Sequence, residues 1–209
     1  MAANEVISLA AMETLKNLPV ETFATAREWA DWLAGRRNAP GVWIKLAKKG
    51  ATLKTLTYEE AREEAIRAGW IDGQINRYDA ECYLTRFSPR KAKSVWSKIN
   101  RTLAEELIEQ GRMLPAGLAQ YRAAQADGRL DAAYEGQATI TVPEDFQRAL
   151  AACPVAEAFF NGLNKANRYS YLWRIQTAAK PETRSARIVK FIKMLESGEM
   201  FHPPAPKGV

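Results

Sequence analysis

Apolar positions along this chain come in short runs separated by polar stretches that contain glycine or proline, and the spacing within each run predicts an element. In TAREWADWLAGRR, Trp29, Trp32 and Leu33 fall on one helical face behind Thr25 and Glu28, a capping-box pair. After a turn at Asn38–Gly41, VWIKLAKK is rich in β-formers and reads as a strand, and residues 53–56 are a candidate short second strand. Thr57 and Glu60 form another capping box, opening a helix whose apolar stripe runs through Tyr58, Ala61, Ala65 and Ile66, with Gly69 at its stop. Trp70–Gly73 reads as a strand entering a tight turn, and residues 81–87 as another strand.

The second half reads as helical. Ser88-Pro89 is a helix-start signal, with Pro at the first position. Thr102 and Glu105 give a third capping box, in a segment that stops at Gly111. Helices follow over residues 115–127, 143–152, 154–162, 165–178 and 181–196, the last between Pro181 and Gly198. Residues 129–142 are the longest irregular stretch, with TITV as a candidate edge strand. The predicted fold is α+β: a small, mostly antiparallel sheet with packed helices in the N-terminal half, and a helical C-terminal half ending in a helical hairpin. The expected organisation is a weakly ordered lead-in over 1–22, an α+β unit over 23–101, a helical unit over 102–197 sharing the same core, and a Pro-rich tail over 198–209.

Composition narrows the chemistry. The 209 residues include one histidine, His202, and two cysteines, Cys82 and Cys153, 71 positions apart. No CxxC, HExxH or Cys/His cluster is present, so no metal site and no cofactor is implied. A histidine-dependent triad would have to draw on the tail. The N-terminus lacks the basic and apolar regions of a signal peptide, no apolar run approaches a membrane span, and two distant cysteines suit a reducing compartment; the expectation is cytoplasmic, without membrane insertion.

Net charge is +6, but it is unevenly distributed: residues 1–35 carry −3, 36–101 carry +8, 102–160 carry −5 and 161–209 carry +6. Two basic blocks around an acidic one point to an anionic partner. In the first block, residues 83–101 hold Arg86, Arg90, Lys91, Lys93, Lys98 and Arg101 and no acid, interleaved with Tyr83, Phe87, Trp96 and Asn100. Cations beside hydroxyls and aromatics are what phosphate or carboxylate recognition needs. Asp72, beside Trp70, is the acidic candidate there, either as an acid/base or as a clamp for Arg86 or Arg90. In the second block Arg184 and Arg187 share a helix face near an N-terminus, where cations oppose the helix dipole unless an anion or neighbouring acid relieves them.

GWIDG, CYLTRFSPRKAKSVWSKIN, LIEQGRM and NRYSYLWRIQTAAKPETRSARI together resemble the bacteriocin-protection, YdeI/OmpD-associated family, over roughly residues 22–203. The resemblance implies a part in resisting bacteriocins or antimicrobial peptides and association with an outer-membrane porin. It carries no catalytic residues.

Three functions follow as expectations. The first is binding of a small anionic ligand through Trp70, Asp72, Tyr83, Arg86, Arg90, Lys91, Trp96, Lys98, Asn100, Arg184 and Arg187; the acidic middle block disfavours long nucleic acid. The second is an enzyme using Asp72 with arginine stabilisation on the same pocket. The third is a protein-interaction module that docks an acidic partner on the C-terminal hairpin, with Tyr169, Tyr171 and Trp173 as anchors, at least one of them exposed.

Overall fold

The computed structural model of the chain describes residues 13–36 and 38–203. The first twelve residues of the expected lead-in and the last six of the expected tail lie outside them. The chain forms two compact units, one holding residues up to Ser94 with Leu103–Asp127, the other Val95–Thr102 with the chain from Gly128 onward. The fold is α+β, with a mostly antiparallel sheet.

In the first unit, strands β1 (Thr14–Leu15), β2 (Leu18–Glu21) and β3 (Val42–Ala47) are joined by β4 (Trp70–Arg77) and β5 (Cys82–Pro89) in the order β1-β2-β3-β5-β4. Only β2 and β3 run parallel, with helix α1 (Ala26–Gly35) between them in sequence. Helix α2 (Tyr58–Arg67) links β3 to β4. Part of the weakly ordered lead-in is therefore sheet. LPVE has no clear alternation of its own, and its strand form comes from pairing Val20 with Trp43 and Glu21 with Ile44.

The register separates the two faces of this sheet. Val42, Ile44 and Leu46 on β3, with Tyr83, Thr85 and Phe87 opposite them on β5, face α1 and α2. Trp29 and Leu33, four apart on α1, are buried against them, and the Trp29 indole donates to the Ala61 carbonyl at 3.0 Å. Phe23, Trp70 and Phe87 meet Trp29 with tilted and edge-on rings, and Trp32 stacks on it, geometries that aromatic quadrupoles favour. Each such buried side chain contributes roughly 1.5–3 kcal/mol. The opposite face carries Trp43, Lys45, Leu84 and Arg86, with Leu15, Leu18 and Val20 against Trp43 and Leu84.

Several predicted elements change. Residues 53–56 pair with no strand; instead the Thr55 hydroxyl accepts from the Ala47 N–H at 2.9 Å. β4 does not turn at Gly73 but passes through a bulge between Asp72 and Ile75 and runs on to Arg77. Ser88 and Pro89 do not start a helix. They pair with Ile71 and Trp70 and end β5, a place where proline's missing N–H is tolerated. The helix begins later, as α3 (Lys98–Glu109), with the Ser97 hydroxyl accepting from Asn100 N–H at 3.1 Å. Thr102 and Glu105 lie inside it, so they cap nothing, and the expected boundary at residues 101/102 falls within a helix. Helix α4 (Pro115–Ala126) completes the first unit.

The second unit is built from α5 (Glu144–Ala151), α6 (Pro154–Gly162), α7 (Lys165–Gln176) and α8 (Pro181–Glu196). Phe146, Phe160, Tyr171 and Phe191 meet edge-to-face in its core. TITV is a turn rather than a strand, with Ile140 N–H donating to Gly136 O; the bridge in this region is Ser97 with Tyr134. Beyond α8 the chain folds back. Phe201 meets Tyr171 edge-on, and Asn167 holds both the N–H and the C=O of His202, at 2.8 and 3.0 Å.

Candidate functional site

The β1–β2 connection is two residues long, because Leu15 pairs with Leu18, and both turn residues have positive φ, Lys16 at 51° and Asn17 at 61°. A two-residue hairpin needs such angles to match strand twist, which Asn tolerates and Lys rarely adopts. The turn stands over the sheet face turned away from the helices. Lys16 Nζ lies 6.0 Å above the Trp43 ring, and the Trp43 indole donates to Leu15 O at 3.0 Å, fixing the turn to the sheet.

Here Lys16, Asn17, Leu18 and Pro40 surround a cavity of about 290 Å³ with Trp43, Gln74 and Arg86. Arg86 pairs with Trp43 in register, so the guanidinium rises from β5 beside the indole. Its Nε is buried and has no hydrogen-bond partner. Gln74 reaches the cavity because the β4 bulge re-aims it. Gly41, next to Pro40, has φ 143°, and a Cβ there would sit 2.8 Å from Phe87 O and 3.3 Å from Leu18 Cδ1, so the rim closes only over glycine. The cavity thus combines two cations and two carboxamides over an apolar floor. No carboxylate among the described residues is paired with either cation. Nearby, Glu13 is already engaged by Lys45 at 2.7 Å and by the Tyr78 hydroxyl at 2.5 Å, which hold its carboxyl below the usual range.

The residues singled out from sequence are dispersed by the fold. Trp70, Asp72 and Tyr83 belong to the helix-covered face, opposite Arg86. Trp70 is 2% exposed and part of the aromatic core. Asp72 accepts from the Tyr58 hydroxyl at 2.8 Å, and burial first, with the Asp72 charge second, raises the Tyr58 pKa. Of the two arginines expected as clamps for Asp72, Arg86 or Arg90, Arg86 is on the other face, because alternation along β4 and β5 sends it away from Asp72. Arg90 is buried at the end of β5, where its N–H donates to Gly69 O; Lys91 is exposed, and its N–H donates to the Ser94 hydroxyl.

The remaining candidates lie in the second unit. Trp96 is buried, and its carbonyl accepts from Tyr134 N–H. Lys98 pairs with Glu135 at 2.9 Å, and Asn100 is buried within the first turn of α3. Arg184 is a staple. Its Nε and Nη2 grip both oxygens of Asp145 on α5 at 2.6 and 2.8 Å, while Nη1 donates to Ile175 O on α7 at 2.9 Å. This bidentate pair relieves the dipole conflict at the start of α8 without an external anion, and it holds the Asp145 carboxyl below its usual range. Arg187 donates to the Arg174 carbonyl. Of the three aromatic anchors, Tyr171 is fully buried and Tyr169 and Trp173 are half-buried.

Sequence reasoning missed Lys16, Asn17 and Gln74. Lys-Asn between METL and LPVE is a short turn signal, legible only if both flanks are read as strands. Gln74 enters through a bulge with no signature beyond the adjacent Gly73. Among the described residues, no cluster of His, Cys, Asp or Glu could hold a metal ion, and no helix is long and apolar enough to cross a membrane.

The family comparison attaches to the helices that Arg184 staples together. The model described as Bacteriocin-protection, YdeI or OmpD-Associated matches residues 139–198, which run from just before α5 to just after α8. Over residues 139–198 the chain is similar to that family. The match is narrower than the resemblance read from the motifs, and residues 21–120 match a separate domain of unknown function, DUF8412. The Arg86 cavity lies in the first unit, on residues that fall within or beside the DUF8412 segment. No curated protein and no solved structure matches the chain.

Proposed function

We propose that the first unit binds a small anionic ligand in the cavity between the β1–β2 turn and the open sheet face. The observation that carries this reading is Arg86, whose Nε is buried without a partner beside a second cation, Lys16, held in a left-handed turn conformation. A desolvated donor with nothing to donate to costs about 1–3 kcal/mol, a cost that a bound oxyanion removes. Strained backbone at the same place is the pattern expected where function, not stability, sets the geometry. A cavity of about 290 Å³ suits a phosphate monoester or a small dicarboxylate rather than an extended polyanion. The family description matched by residues 139–198 supports a setting in bacteriocin or antimicrobial-peptide stress.

The test is calorimetric titration of wild-type protein with inorganic phosphate, small sugar phosphates and dicarboxylates, repeated with Arg86→Gln. The expected outcome is saturable binding by at least one class, weakened roughly a hundredfold by the substitution, since a charge-assisted pair contributes about 1.5–3 kcal/mol. Equal affinity of wild type and Arg86→Gln for every anion bound would remove the basis of the proposal. The stress role is tested separately: a strain lacking the gene should become more sensitive to antimicrobial peptides, and an Arg86→Gln allele should fail to restore it.

A further inference from the structure

In the segment that matches the YdeI/OmpD-associated family, two guanidinium groups reach main-chain carbonyls one helical turn apart on α7, and neither has a carboxylate partner among the described residues. Arg187 on α8 donates through Nη1 to the main-chain carbonyl of Arg174 on α7. Arg174 donates through Nη1 to Ser170 O at 2.7 Å, and its guanidinium lies against the Phe201 ring, 3.9 Å from the centroid, with the Trp173 ring at 5.7 Å. Both side chains are half-buried, so neither is an ordinary solvated surface cation. Burial first, and then the charge of Arg187, pulls the Arg174 pKa down, as expected for like charges placed side by side.

The contrast with Arg184 sharpens the point. It stands three residues before Arg187 on the same helix and is fully neutralised by Asp145. Residues 165–193 contain eight Lys/Arg and a single acid, Glu182, which is exposed in the first turn of α8. Arg174 and Arg187 therefore have no acid partner among the described residues, although each is fixed by a hydrogen bond to a backbone carbonyl. A guanidinium has five N–H donors, and one used on each side leaves most of both forks available. Two oriented, partly desolvated forks on carbonyls one helical turn apart can meet a phosphate or carboxylate from two sides.

We propose that Arg174 and Arg187 form an oxyanion-binding site in this segment, for a single phosphate or carboxylate group. The proposal does not rest on the Arg86 cavity, which belongs to the other unit of the chain. Bound anion neutralises the repulsion between the two cations, and the return of the chain through Phe201 keeps Arg174 in place.

The test uses the full chain and follows the arginine Nε–Hε resonances by NMR during titration with inorganic phosphate, and separately with acetate. Arg174 and Arg187 signals should shift saturably with at least one of the two anions. The stronger of the two identifies the ligand group, and Arg86→Gln should leave the response intact. Arg187→Gln, which keeps a donor for the Arg174 carbonyl, should weaken binding roughly tenfold or more, the loss of one charge-assisted contact. Thermal denaturation gives a second readout that a structural role would not produce. Without added anion Arg187→Gln should melt at or above wild type, because a like charge is gone, whereas phosphate should raise the melting temperature of wild type only. Absence of any shift at Arg174 and Arg187 with either anion overturns the proposal. So does an Arg187→Gln variant that melts below wild type to the same extent with and without phosphate.

Discussion

Lys16 shows how one residue trades stability for chemistry. Its φ of 51° places a β-carbon-bearing side chain in the left-handed region, which costs roughly 1–2 kcal/mol. Asn17 beside it, at 61°, is a residue that visits that region readily. Glycine at position 16 removes the strain but adds freedom to the unfolded chain, about 0.4–1 kcal/mol in the other direction. Lys16→Gly is therefore expected to stabilise the protein by about 0.5 kcal/mol in urea denaturation, the net of these two effects. The same substitution should weaken anion binding at the Arg86 cavity roughly tenfold, because a cation over Trp43 is lost. Unchanged affinity in Lys16→Gly would mean that the turn is strained for some reason other than the cavity.

Elements that carry their own punctuation were legible in the sequence. Thr57 and Glu60 make a complete capping box, and Gly69, Gly111, Gly128 and Gly198 all stop helices at positive φ. Elements set by pairing were not. β2 borrows its strand form from β3, Pro89 ends a strand because Trp70 pairs with it, and the bulge that aims Gln74 depends on how β4 meets β5. The candidate site suffered for the same reason. Charge clustering singled out Arg86, but the period-two alternation that separates Arg86 from Trp70, Asp72 and Tyr83 cannot be applied until strand registers are known. Helix packing hides similar constraints. Gly117 on α4 crosses the end of α2 so closely that a Cβ would lie 2.4 Å from Arg67 O and 2.6 Å from Ile66 O. Both are backbone atoms, so the helices must separate. Gly117→Ala should cost at least about 1–3 kcal/mol, in spite of alanine's better helix propensity. An unchanged urea midpoint in this variant would show that α4 does not rest on α2 in solution.

Across the whole molecule, the charged groups that perform structural work shift in consistent directions, and this sets a pH profile. Hydrogen bonds from Lys45, Thr57, Cys82, Thr52, Lys98 and Arg184 lead the lowering of the Glu13, Glu60, Asp79, Glu81, Glu135 and Asp145 carboxyl pKa values, respectively. A carboxyl whose pKa is lower folded than unfolded binds fewer protons in the native state. Its contribution is present above the ordinary values of 3.8 and 4.5 and is lost as pH falls through the folded value. At the alkaline end the sign reverses. Burial, aided by Asp72, raises the Tyr58 pKa above its ordinary 10.0, so the unfolded chain loses that proton first and the contribution disappears as pH climbs past 10. Urea midpoints should therefore be level from about pH 5 to pH 9 and fall on both sides. Asp145→Asn should flatten part of the acid limb while lowering the plateau, since Arg184 would then lose half of its staple between α5, α7 and α8. Tyr58→Phe should flatten part of the alkaline limb and leave the acid limb as it is. A midpoint that rises on acidification from pH 6 to pH 4 would contradict the direction assigned to the carboxylates. An Asp145→Asn profile parallel to wild type below pH 5 would show that the Asp145–Arg184 pair is not among the groups that set it.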